Sequence, residues 1–167
     1  MKTIYLAGGC FWGMEKAICL LDGVVNTTVG YANGHVDNPD YKQVCSDTTG
    51  HRETVKVEYD ENILDLNKIL GAYFICVDPT MQNQQGHDVG SQYQVGVYYV
   101  DEETFQFCQN YFEQEKQKHK KFFVELEKLK NFWEGEEYHQ KYLDKNPSGY
   151  CHIGKLEFER IERLNEE

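Results

Sequence analysis

TIYLAGGCFWGMEKAICLL, residues Thr3 to Leu21, changes its periodicity halfway along, and that change sets the fold. Thr3 to Ala7 is an apolar run of strand length, stopped by Gly8 and Gly9. From there Phe11, Met14, Ile18 and Leu21 recur at the spacing of one helix face. Cys10 therefore stands at a strand-to-helix junction.

Outward from this junction the pattern keeps alternating. Val24 to Ala32 reads as a second strand. Val55, Val57 and Tyr59 alternate with Lys56 and Glu58, as in a half-buried strand with Glu53 at its start. Asp65 to Val77 is helical, with Leu66, Ile69, Leu70 and Tyr73 on one face. Tyr93 to Val100 reads as a strand and Glu102 to Lys121 as a helix striped by Phe105, Cys108 and Phe112. Phe123 to Leu129 alternates again, and Glu136 to Leu143 makes a short helix before the tail DKNPSGYCHIG. Interleaved strands and helices without repeats predict a two-layer α/β or α+β sandwich. The polar loops 33–53 and 78–92 are long for a compact domain, which favours a functional role for both.

At 167 residues the chain has the size of one ordinary domain, with a hydrophobic fraction of 40% that suits a soluble globular protein. A net charge of -11 argues against nucleic acid or anionic lipid as non-specific partners, since phosphate contacts need a basic face. The one basic run, Lys116 to Lys121, reads as the solvated end of a helix. Six cysteines would suit a disulfide framework in a secreted chain, but the apolar stretch after Lys2 is too short for a leader, so a reducing cytoplasm is expected. No apolar stretch approaches a membrane span, and without a CxxC pair no structural zinc is expected.

Cys10 has what a nucleophile requires. A helix N-terminus lowers a thiol pKa, and flanking glycines let a substrate approach. The same glycines could serve the turn alone. Three readings follow: a redox enzyme, a Cys-His hydrolase or acyl transferase with His51 or His87 as base, and a binding module in which Cys10 is a packed thiol.

Four segments narrow this choice: GCFWGM from Gly9, GYANGHVDNPDYKQVCSDTTGHRETV from Gly30, DPTMQNQQGHDVGSQY from Asp78 and EEYHQKYLDKNPSGYCHI from Glu136. In that order they resemble the motifs of peptide methionine sulfoxide reductase of the A type, from about Tyr5 to Ile153. The resemblance implies an α/β (α+β) sandwich with a ferredoxin-like mixed sheet. It also implies one catalytic domain over 1–167, with a coil-rich tail from about 145. The implied activity is reduction of methionine S-sulfoxide, free or in oxidised proteins. Cys10 attacks sulfur, Glu53 is the acid, and Tyr41 and Tyr93 donate hydrogen bonds to the sulfoxide oxygen. Asp88 orders the site, and Phe11 and Trp12 wall the methyl group. Cys151 resolves the sulfenic acid, and thioredoxin or another dithiol reduces the disulfide without a bound cofactor or metal. A monomer is expected. Cys19, Cys76 and Cys108 read as packed small apolar residues, and Cys45 as a structural loop cysteine. The chain departs from the usual motif residues at Val77, Met81, His87, Gln94 and Gly135.

Overall fold

The computed structural model describes residues Met1–Glu167. Its elements are β1 (Lys2–Ala7), α1 (Phe11–Ile18), β2 (Val24–Ala32), α2 (Tyr41–Cys45), β3 (Arg52–Tyr59), α3 (Leu66–Cys76) and a small hairpin of β4 (Gln84–Gln85) and β5 (Asp88–Val89). There follow β6 (Gly96–Tyr99), α4 (Glu102–Lys116), β7 (Glu125–Lys128), β8 (Phe132–Glu134), α5 (Tyr142–Lys145) and α6 (Lys155–Leu164). Six strands form one sheet in the order β7-β6-β1-β3-β2-β8. Its centre, β6-β1-β3-β2, is antiparallel and comes from β-α-β-β-α-β in the chain, the split βαβ arrangement of a ferredoxin-like sheet. β7 joins one edge in parallel and β8 the other in antiparallel sense.

Side-chain alternation decides what faces the helices. Ile4 pairs with Val57 and Leu6 with Val55, which puts all four in the main core with Met14 and Ile18 of α1 and Leu70 and Tyr73 of α3. The opposite set, Tyr5, Ala7, Ala32 and Tyr98, forms a second, smaller cluster. Glu53, Val55, Val57 and Tyr59 share one face of β3, so Glu53 enters the core by register, opposite Tyr31 of β2.

The loops hold more structure than their polarity announces. α2 is closed by a capping box, with Gln43 N–H donating to Asp40 Oδ1 at 2.8 Å and Asp40 N–H to Gln43 Oε1 at 2.9 Å. β8 arises from Phe132–Glu134, a stretch too short to show a period. α4 stops at Lys116 rather than running to Lys121. The helix expected over 136–143 is broken, with a tight turn at Glu137–His139, Lys141 in the left-handed region at φ 53° and α5 beyond it. The coil-rich tail is confined to about 146–154. After it α6 packs on α3 through Ile161, which is fully buried.

Cys108 is buried and Cys76 half-buried, consistent with packed apolar residues, but two other cysteines differ from expectation. Cys19 is exposed at the end of α1, with Lys141 Nζ 3.4 Å from its sulfur, because the apolar stripe has turned inward before that residue. Cys45 is exposed in α2 rather than in a loop. No helix is long and apolar enough to cross a membrane.

Candidate active site

Gly9 makes the bend between β1 and α1 with φ 85°, a conformation that favours glycine. A Cβ there would lie 2.8 Å from Gln85 Cβ, so the 78–92 loop closes directly over the bend. Cys10 follows as the N-cap residue of α1 and is 7% exposed. Burial pushes its thiol far above the ordinary range, the charge of Glu53 adds to this, and the Trp12 backbone N–H opposes it. The sequence expectation of a lowered thiol pKa is therefore corrected for the resting site. One helix N–H does not offset the loss of water.

Glu53 is 1% exposed. Its Oε1 accepts from Phe11 N–H at 3.2 Å, and its Oε2 is buried without a partner. Burial raises its pKa to about 8, against the Phe11 hydrogen bond and with help from Asp88. At neutral pH the carboxyl is mostly protonated, which suits an acid waiting for an acceptor.

Two loops bring the polar groups to this pair. Tyr93, in the turn Ser91–Tyr93, has its phenol raised by burial first and then by Glu53, Cys10 and Asp88, which places it among all three. Tyr41 opens α2, with its phenol also raised by burial and hydrogen-bonded to Cys45. Ser91 N–H donates to Asp47 Oδ1 at 2.8 Å and ties the two loops together. Gln85 accepts from Asp78 N–H at 2.9 Å and donates to Asp78 C=O at 2.8 Å, bracing the second loop. Asp88 Oδ2 accepts from the Tyr150 hydroxyl at 3.0 Å, a contact from the C-terminal tail.

Phe11 and Trp12 part company. Phe11 is 1% exposed and faces inward, its ring 5.7 Å from Tyr31 and 5.1 Å from His139. Trp12 stays half-buried, stacked on Tyr142 at 3.8 Å, and its Nε1–H donates to His139 Nδ1 at 3.0 Å. His139 also packs on Tyr41 at 4.6 Å, and its Nε2 is buried without a partner. Nearby, Glu136 accepts from the Tyr31 hydroxyl at 2.9 Å and from Tyr41 N–H at 3.0 Å. Gln140 accepts from Val29 N–H at 2.9 Å. Sequence reasoning gave no role to Glu136, His139 or Gln140. The signal was their density in EEYHQ, a polar cluster with no apolar stripe to explain it.

Cys151 is half-buried on the tail, and a Cβ added to Gly13 would lie 3.1 Å from its sulfur. That glycine is one turn along α1 from Cys10. All six cysteines are free thiols. The histidines of the hydrolase reading are placed otherwise. His51 accepts from Gly34 N–H at 3.1 Å through Nδ1 and meets Val36 C=O at 2.6 Å through Nε2, so both ring nitrogens serve the backbone. His87 is exposed in the turn between β4 and β5.

Comparison with known proteins agrees with this geometry. A family model described as peptide methionine sulfoxide reductase matches residues 2–166. Peptide methionine sulfoxide reductase MsrA of Clostridium acetobutylicum is 54% identical over 156 residues, covering 93% of this chain and 96% of the relative. The crystal structure of Mxr1 from Saccharomyces cerevisiae in reduced form superposes with a TM-score of 0.87 at 37% identity, covering 92% of this chain and 91% of that one. Methionine sulfoxide reductase A of Corynebacterium diphtheriae gives a TM-score of 0.84 at 33% identity, with 90% and 77% covered.

Proposed function

The chain belongs to the peptide methionine sulfoxide reductase family, and we propose on that footing that it converts the S epimer of methionine sulfoxide to methionine with Cys10 as nucleophile and Glu53 as acid. One observation carries the assignment of roles. Beside a buried thiol lies a fully buried carboxyl that holds its proton at neutral pH and has one oxygen without a partner. A thiol alone cannot expel oxide from a sulfoxide, because that leaving group needs a proton.

The atoms balance as follows. Glu53 protonates the sulfoxide oxygen, and the phenols of Tyr41 and Tyr93 donate to it as charge develops. The Cys10 sulfur attacks the sulfoxide sulfur while the carboxylate just formed at Glu53 takes the thiol proton. The sulfur-oxygen bond of the substrate breaks as oxygen passes to Cys10, the transient bond between the two sulfurs breaks with its electron pair returning to the methionine sulfur, and methionine leaves with Cys10 as a sulfenic acid. Glu53 ends as it began, so the raised thiol pKa is no obstacle: the base appears when the acid has acted. Phe11 and Trp12 wall the methyl group, Phe11 from the buried side and Trp12 from the more exposed one.

Cys151 then displaces the oxygen of the sulfenic acid as water and forms a disulfide with Cys10. Thioredoxin or another dithiol restores the thiols, and no prosthetic group is needed for any of these steps. A reducing cytoplasm would keep these thiols available between turnovers. The whole chain, 1–167, acts as one catalytic domain and as a monomer.

A reductant-free single turnover on each purified epimer tests this reading. The expected yield is about one methionine per chain from the S epimer and none from the R epimer, with Cys10 joined to Cys151 in the mass spectrum. Methionine from the R epimer, or from neither, rejects it.

A further inference from the structure

We propose that His152 is the general base of the resolving step, its Nδ1 taking the thiol proton of Cys151 as that sulfur attacks the sulfenic acid on Cys10. The proposal rests on Cys10 and Cys151 being the oxidised and resolving thiols.

The ring's tautomer follows from its one partner. Nε2 lies 3.1 Å from the Gly8 carbonyl oxygen. A carbonyl only accepts, so Nε2 carries the hydrogen and Nδ1 presents a lone pair. That Nδ1 is buried and has no hydrogen-bond partner. A buried acceptor without a partner is costly to keep, which makes a functional partner the natural reason for it.

Its position indicates the use. A Cβ built on Gly13 would lie 3.1 Å from Cys151 Sγ and 3.2 Å from His152 Nδ1, so the sulfur and the bare nitrogen flank the same point on α1; at rest the thiol donates to the Ile153 carbonyl at 3.4 Å, and it turns from there to Nδ1 to give up its proton. A Cβ on Gly9 would lie 3.2 Å from His152 Nε2. The two glycines that bracket Cys10 are thus what lets the tail's Cys-His pair dock beside it.

The resolving thiol also needs a base. Burial raises the Cys151 thiol, against a backbone hydrogen bond at Ile153 and then the charge of Lys16, so little thiolate is present at neutral pH. Burial lowers His152, while the charge of Asp88 opposes the shift, and the imidazole is neutral and ready to accept. Lys16, Asp88, Cys10, Cys76 and Tyr150 are the titrating neighbours of the pair. In the step itself the sulfur-sulfur bond forms and the Cys10 sulfur-oxygen bond breaks. The proton taken by Nδ1 passes to the departing hydroxide as water, so Cys151 is oxidised, Cys10 is reduced and no other reagent is consumed.

Quenched-flow single turnovers on free methionine S-sulfoxide, with methionine and the Cys10–Cys151 disulfide followed separately, test the assignment. His152→Gln keeps a donor for the Gly8 carbonyl and removes the base. The ratio of the disulfide rate to the methionine rate should fall about 100-fold at pH 7, the lower range of general-base effects. Added imidazole or higher pH should restore it. An unchanged ratio overturns the proposal, and so does a fall that neither imidazole nor pH repairs, since that marks a packing role alone. Should the glutamine variant melt early, His152→Asn is read in the same way. Methionine formed by the native protein with Cys151 unlinked rejects Cys151 as resolver, and no methionine rejects the catalytic reading itself.

Discussion

Cys10 and Cys151 are the same chemical group held in two different ways. Cys10 sits where a central strand feeds a buried helix, with Glu53 delivered to it by the register of β3 against β2. Cys151 lies on a stretch of coil, 146–154, that joins no sheet. Side chains pin it there: Tyr150 on Asp88, His152 on the Gly8 carbonyl, and Ile153 in the core. Oxygen transfer requires atoms aligned within tenths of an ångström, and the sheet supplies that alignment. Disulfide formation requires a sulfur to travel and return, which a lightly pinned strap allows.

The contrast breaks most sharply at the two ends of the reaction. Glu53→Gln keeps the shape of the acid and removes its proton, and the single-turnover rate of methionine formation should fall by about 10²–10⁴. Cys151→Ser should leave that first methionine intact while multiple turnover with a dithiol stops after about one equivalent. If both variants lose the first methionine alike, the two regions do not divide the chemistry.

Glu53 should also mark the rigid region in equilibrium unfolding. Its carboxyl titrates at about 8 in the fold against the ordinary 4.5, so the folded state holds the extra proton. The stabilisation is complete below about 4.5 and is lost as pH rises to about 8, a change on the order of 5 kcal/mol. Urea unfolding between pH 5 and 9 should show this decline in the native protein and a flatter profile in Glu53→Gln. No titrating group on the strap is buried as completely. Ile153→Ala comes next in size: removing this buried anchor should cost about 2–3 kcal/mol. Hydrogen exchange should show that loss in 146–154 and leave the β1–β3 ladder protected.

The same division governs what the sequence showed. The junction at Cys10, the strands β1 to β3 and helix α3 were legible because a burial period runs through each of them. Candidate roles for Cys10, Glu53, Tyr41, Asp88, Tyr93 and Cys151 came from local segments with strong resemblance, and the structure brings those segments together around one bend. His139, Glu136 and Gln140 showed only as a polar cluster, and their roles were missed because their placement depends on partners about a hundred residues away rather than on any period. Cys10's raised pKa was missed for the same reason: its local signal is a helix N-terminus, while the dominant effect is burial, which the local sequence does not show. α6 is strongly amphipathic and was within reach, yet it lies beyond the segments that carry the resemblance.

The smallest effect tests the strap itself. Tyr150 is 46% exposed, so its hydrogen bond to Asp88 competes with water and contributes about 1 kcal/mol. Tyr150→Phe keeps the ring and removes only that bond. Exchange in 146–154 should quicken about fivefold, as expected for a loss of that size. Glu53, anchored by a backbone N–H and a strand ladder, should not notice, and the rate of the first methionine should stay within about twofold. Unchanged exchange would place the pinning in His152 and Ile153 alone. A slowed first methionine would instead mean that the phenol reaches the acid site through Asp88, and the two regions would then have to be treated as one network.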